Sequence, residues 1–464
     1  MTSPASIALN RFGLGARPED TPPADPQGWL LAQFARYEPA PAPWAALPRS
    51  AALLQDLQAR QRAVRDAPAP VKQAARQLYR REGRAAYLAA IGARGASALA
   101  TPAPFVERLV HFWANHFAVS VDKMTVVGLA GGLEAEAIRP HVLGRFEDML
   151  LAVTRHPAML LYLDQPNSIG PQSTAAMRAV DRGQPRRRGL NENLAREILE
   201  LHTLGVRSGY TQADVTEFAR ALTGWTLPPA REPDVQADPM PQVVAIASEF
   251  RPALHEPGAR TLLGHSYAQP NEDQARAILH DLATAPATAQ HIAGKLARHF
   301  VADDPPAALV QRLADAFSRS GGDLPTVYRE LVAAPEAWQP TQAKFKTPWD
   351  WALSGLRALG KREIAPMQLA NLMNQLGQPV WRPGSPAGYD DIAASWAAPD
   401  ALVRRVEMAQ RLAAQAGDAV DARALAPRVL PGSLSEATAS AIARSESPAG
   451  ALALLLVSPE FLRR

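Results

Sequence analysis

"LNENLAREILELHTLGVRSGYTQADVTEFARALTGW", residues 190 to 225, holds the pattern that decides the fold. At about 100° per residue, Asn193, Arg196, Glu197, Glu200 and Leu204 fall on one side of a helix, while Leu194, Ile198, Leu199, Leu201 and His202 fall on the other. Gly205 and Gly209 then end the helix and permit a sharp return with Tyr210 at its apex. Thr211 follows as an N-cap with Asp214 three residues on, and Val215, Phe218, Leu222 and Trp225 repeat at core spacing. The stretch predicts two amphipathic helices meeting at a corner.

The same period recurs along the chain. Residues 49–66 and 70–92 predict an αα-hairpin across "DAPAP", and further helices are expected at 104–119, 133–155, 271–301, 306–319, 324–334, 346–359, 366–376, 399–415 and 433–457. Strand signals are confined to 242–250 and 259–267, which predict a small β-hairpin within a loop-like insertion at 226–265. The expected class is mainly α: a large single helical body, 1–464, of packed helical hairpins. The 42 prolines concentrate in connectors. Of these, 168–190 reads as a mobile Arg-rich loop and 379–391 as a Pro/Gly-rich capping loop.

Composition narrows the function classes. With 47% hydrophobic and 20% charged residues, the chain can bury a core. The basic residues are scattered and nearly balanced by acids, net +4, so a nucleic-acid partner is not expected. Without cysteine, thiolate metal sites, disulfides and cysteine nucleophiles are excluded. The first twenty residues lack a signal-peptide pattern and no apolar run reaches the roughly 18 residues of a membrane span. The expectation is a cytoplasmic chain without integral membrane association.

"PFVERLVHFWANHFAVSVDK", 104 to 123, repeats the two-faced design: His116 points with the aromatic residues, while His111 groups with Glu107, Arg108 and Asn115 on the outer side. His116 and His202 thus sit on apolar faces of separate helices, where an imidazole is costly unless partnered. If the helices pack together, the pair forms a buried centre. Glu197 and Glu200 lie about 140° to 160° around the helix from His202, too far to share one small ion with it. No P-loop, GxGxxG, GxSxG or HExxH pattern occurs. "WRPGSPAGYDD" offers Trp381 and Tyr389 to a pocket rim, and "KFKTPWDW" places Lys344 and Lys346 where an anion contact is one reading.

"RFGLGARP", "FWANHFAVS", the long 190–225 segment, "KFKTPWDW", "LGQPVWRPGSPAGY" and "SPEF" together resemble the signature segments of the bacterial domain-of-unknown-function family numbered 1800. The resemblance implies a helical domain of unassigned biochemistry, often accompanied by a sulfatase-like partner with a twin-arginine export signal. Periplasmic residence would then require carriage by that partner. Where the family has a histidine–aspartate pair, "LHEPGARTLLG" carries Glu256 in the acidic place. The family motifs include Asn193, Arg196, Glu197 and Glu200 as well as both histidines, which favours a polar network or pocket wall over a merely solvated stripe.

Two functions follow as expectations. One is an enzyme doing acid/base or metal-assisted chemistry, with His116, His202, Glu197 and Glu200 as catalytic groups, Arg196, Asn193, Tyr210, Trp381 and Tyr389 binding substrate, and a divalent metal held by His and Glu as an open option. The other is a non-catalytic binding, scaffold or maturation factor for the exported partner.

Overall fold

The computed structural model describes residues 2–183, 189–229 and 248–464. Arg186 to Arg188 of the arginine run and residues 242–247 of the first expected strand lie outside them. The molecule is mainly α-helical, with two small antiparallel two-stranded sheets among the described residues.

The expected αα-hairpin forms from α1 (Ser50–Ala63) and α2 (Ala69–Ala100), cross-tied by Arg60 and Glu82 at 2.5 Å. α2 continues well past residue 92 because its Ala/Gly/Ser-rich last turns pack into the core, Ala98 and Leu99 being fully buried. Next come α3 (Pro104–His116) and α4 (Phe146–Arg155). The expected 133–155 helix is broken before α4, where Pro140 enters a short tight turn. The corner consists of α5 (Asn193–Glu197), which widens into a π-turn over Ile198–His202, and α6 (Gln212–Leu222).

The expected 271–301 helix is two, Glu272–Thr284 and α7 (Pro286–Phe300). Proline forces the residue before it out of the helical region, and Ala285 has ψ 140°. Pro448 divides the expected 433–457 helix likewise, into Glu436–Ala443 and Pro448–Leu456. α8 (Pro348–Ala358) is buried along its whole length. Neighbouring helices pack on one another, α7 on Ala307–Ser320 and that helix on Leu324–Ala333, and Pro399–Ala416 packs on Pro448–Leu456 across two intervening helices.

The strand pairing differs from the expected hairpin. Trp225–Thr226 pairs with Glu249–Phe250, and Arg260–Leu262 turns back on His265–Tyr267 through Leu263 and Gly264. Both central residues of that turn have positive φ, so a tight hairpin closes locally and the 249–250 strand is left to pair with the end of the corner. Within the 168–190 connector, Thr174–Asp181 is helical, capped by Ser173 Oγ.

Candidate functional site

The corner is built as its residues require. The Thr211 and Asp214 side chains cap each other's backbone N–H groups, and Asp214 also accepts from Leu263 N at 2.7 Å, anchoring the small hairpin. Gly205 and Gly209 both have φ 93°. At Gly205 a Cβ would also lie 3.0 Å from the His291 ring, so the turn demands glycine twice over.

The helices carrying His116 and His202, whose packing the sequence left open, bring the two rings together. The π-turn, closed by Thr203 N donating to Ile198 O at 2.9 Å, carries His202 against α3. The His116 and His202 rings are 6.2 Å apart, and His116 Nε2 donates to the His202 carbonyl at 3.1 Å. A third imidazole joins them: His291 from α7 lies 6.1 Å from His116, and its Nε2 donates to Leu201 O at 3.1 Å. Burial, then Lys295 and His291, pushes His202 down to about 3; burial, then Lys295, pushes His291 to about 4. These are neutral imidazoles that clasp the π-turn.

The polar stripe occupies a different place. Arg196 lies 3.3 Å from Glu192 and 3.7 Å from Glu200, with all three side chains roughly one third exposed. Glu192 also accepts from Thr216 Oγ1 and Gln212 Nε2, both at 2.7 Å, so the network knits α5 to α6 at the surface. Tyr210 belongs to it, pushed up to about 12 by burial and by Glu200, and Asn193 is exposed. Burial and Glu200 also raise Glu197 above the ordinary carboxylate range. None of Asn193, Arg196, Glu197, Glu200 or Tyr210 lines the cavity that His116 reaches.

That cavity, about 310 Å³, lies between α3, α7, the start of α8 and residues 378–392. The 379–391 loop forms one wall, bringing Trp381 and Tyr389 into place. Asn115 fastens the loop to α3: its Nδ2 donates to Tyr389 O and its Oδ1 accepts from Tyr389 N, both at 2.8 Å. A Cβ at Gly388 would fall 2.3 Å from the Asn115 carbonyl, so only glycine fits there.

Beneath the cavity lies a buried charge network. Asp350, in the first turn of α8, is 2.9 Å from Arg108 and 3.2 Å from Arg464. Asp391 is 2.5 Å from His299 Nδ1, 3.3 Å from Lys344 and 3.9 Å from Arg464. Burial alone would raise both carboxyls, but the surrounding cations hold them well below the usual range. The expected outward face of α3 is therefore buried: Glu107 takes a two-pronged contact from Arg139 at 2.8 and 2.9 Å, and His111 Nδ1 accepts from Trp349 Nε1 at 3.1 Å. Lys344 pairs with Asp303 at 2.6 Å, and Lys346 donates to Ser354 Oγ at 3.1 Å. Both lysines serve the interior.

His299, Lys295, Asp350, Asp391 and Arg94 all line the cavity and were missed as site residues. A signal existed for two: His291, Lys295 and His299 recur every four residues, which aligns them on one face of α7. Burial, only partly offset by Asp391, lowers Lys295 to about 8. Among the described residues, no three His, Asp or Glu side chains converge as metal ligands. Glu256 is buried, accepts from Gln172 N at 2.7 Å and closes a loop contact.

The sequence profile of the family described as "Protein of unknown function (DUF1800)" matches residues 7–463, and the chain belongs to that family. Searches of curated proteins and of solved structures each gave no match. No helix among the described residues is long and apolar enough to cross a membrane.

Proposed function

We propose that the cavity is an acid/base active site in which His299, oriented by Asp391, moves a proton to and from a bound small molecule. The observation carrying this reading is the His299–Asp391 pair. A carboxylate 2.5 Å from Nδ1 fixes the proton there and leaves Nε2 as the basic nitrogen, and Nε2 is buried without a partner among the described residues. Such an unsatisfied imidazole nitrogen at a cavity wall is costly unless a ligand meets it.

Burial lowers His299 overall, so the ring is neutral and ready to accept a proton near pH 7. Lys295, one turn away on the same face and also depressed, supplies a second group that can give up a proton near neutrality. His116 forms part of the wall, while His202 and the Glu197, Glu200 and Arg196 network hold the corner in place.

The test is turnover of a metabolite mixture followed by mass spectrometry, comparing the parent with His299→Gln after circular dichroism confirms folding. Loss of about 100-fold or more is expected for the variant, the scale of a positioned general base. A turnover that survives His299→Gln ends the reading. A folded parent that turns over nothing but retains a co-purifying protein would favour the maturation-factor alternative.

A further inference from the structure

Arg94, on α2, lines the same cavity but takes no part in the proton chemistry above. The residue is only 8% exposed. Its Nε lies 3.1 Å from Glu134, itself buried, and its guanidinium carbon lies over two indoles, 4.6 Å from Trp349 and 5.3 Å from Trp381. Both indoles are held independently. Trp349 Nε1 donates to His111, while Trp381 has φ 49° and its carbonyl accepts from Val121 N at 2.9 Å. A bulky residue in the left-handed region is strained, and the packing around it must offset that strain.

The terminal Nη atoms of this fixed guanidinium make no hydrogen bond to the described residues, and Nε, 3.1 Å from Glu134, forms an ion pair without hydrogen-bond geometry. Charge around the cavity points the same way. Asp350 and Asp391 are matched by Arg108, Arg464 and Lys344, so Lys295 and Arg298 face only Asp390 among the remaining lining carboxylates. A planar fork held rigid, with its two prongs unused in a positive cavity, has the form that binds carboxylate or phosphate through paired hydrogen bonds.

We propose that Arg94 anchors the oxyanion group, carboxylate or phosphate, of a small-molecule ligand in this cavity. That the ligand is also a substrate rests on the acid/base reading; the anchoring itself does not. Titration calorimetry at constant ionic strength, with inorganic phosphate and separately with acetate against a chloride baseline, tests it. Saturable one-site binding of at least one anion is expected, and the one preferred names the class. Arg94→Lys keeps the charge but loses the fork, and should weaken binding by about ten-fold or more. The double variant Arg94→Met/Glu134→Gln removes both members of the pair without stranding a buried charge, and should lose binding while remaining folded. Failure of both anions to bind the parent, or parent-like binding by whichever of these variants folds, overturns the proposal. His299→Gln separates the two readings: retained anion binding with unchanged turnover would sink the acid/base role and leave the anchor standing.

Discussion

Helix α3 and the 192–202 segment, α5 with its π-turn, show the same two-faced pattern in sequence, each with one histidine on an apolar face and a charged opposite face, yet they occupy different environments. The charged face of the 192–202 segment is a half-exposed network of Glu192, Arg196 and Glu200. That of α3 is buried, Glu107 and Arg108 each being 1% exposed, and is satisfied by Arg139 and Asp350 from distant parts of the chain. Periodicity locates a polar face; the neighbour that meets it decides whether it is solvated or becomes the foundation of a site.

The energetic consequence should be large on α3. Arg108→Ala leaves Asp350 facing Arg464 alone in the interior, and breaking a buried pair on one side typically costs about 3 to 5 kcal/mol. Denaturant unfolding measures this directly; a loss below about 1 kcal/mol would mean that the buried face of α3 behaves like a surface and would erase the contrast.

Protonation sharpens the comparison at the histidines between the two helices. His202 and His291 are neutral in the fold, with values near 3 and 4 against an ordinary 6.5. The unfolded chain therefore takes up protons below pH 6.5 that the folded chain does not. Stability should fall as pH drops from about 6.5 toward 4, by up to about 1.4 kcal/mol per pH unit for each histidine. Unfolding at several pH values in the parent and in His202→Gln should show a shallower slope in the variant; equal slopes would show that His202 is not buried as a neutral ring.

The smallest effect belongs to α5. Arg196→Ala removes exposed pairs and should change stability by no more than about 0.5 kcal/mol. A loss rivalling that of Arg108→Ala would place the Glu192–Arg196–Glu200 network among the groups that hold the core together.

Much of the local structure was legible. Thr211 and Asp214 announced a capping box, Gly205 and Gly209 a corner, and the helical period the apolar faces of His116 and His202, each from residues within a few turns of one another; that the two histidines meet across 86 residues is a tertiary fact. Pro286 and Pro448 also broke helices for a local reason, but the apolar period carried across them and concealed the breaks.

By itself the sequence determined a mainly helical chain, its corner and its membership of a family of unknown function. Only the tertiary structure decided that the outer face of α3 is inner, that Lys344 pairs inside with Asp303, and that His299 meets Asp391 and Arg108 meets Asp350 across 92 and 242 residues. The physical reason is one of range. Helical period and capping act over a turn or two, whereas a buried ion pair joins whichever charges packing brings together after both have left water, and nothing in the spacing along the chain encodes that choice.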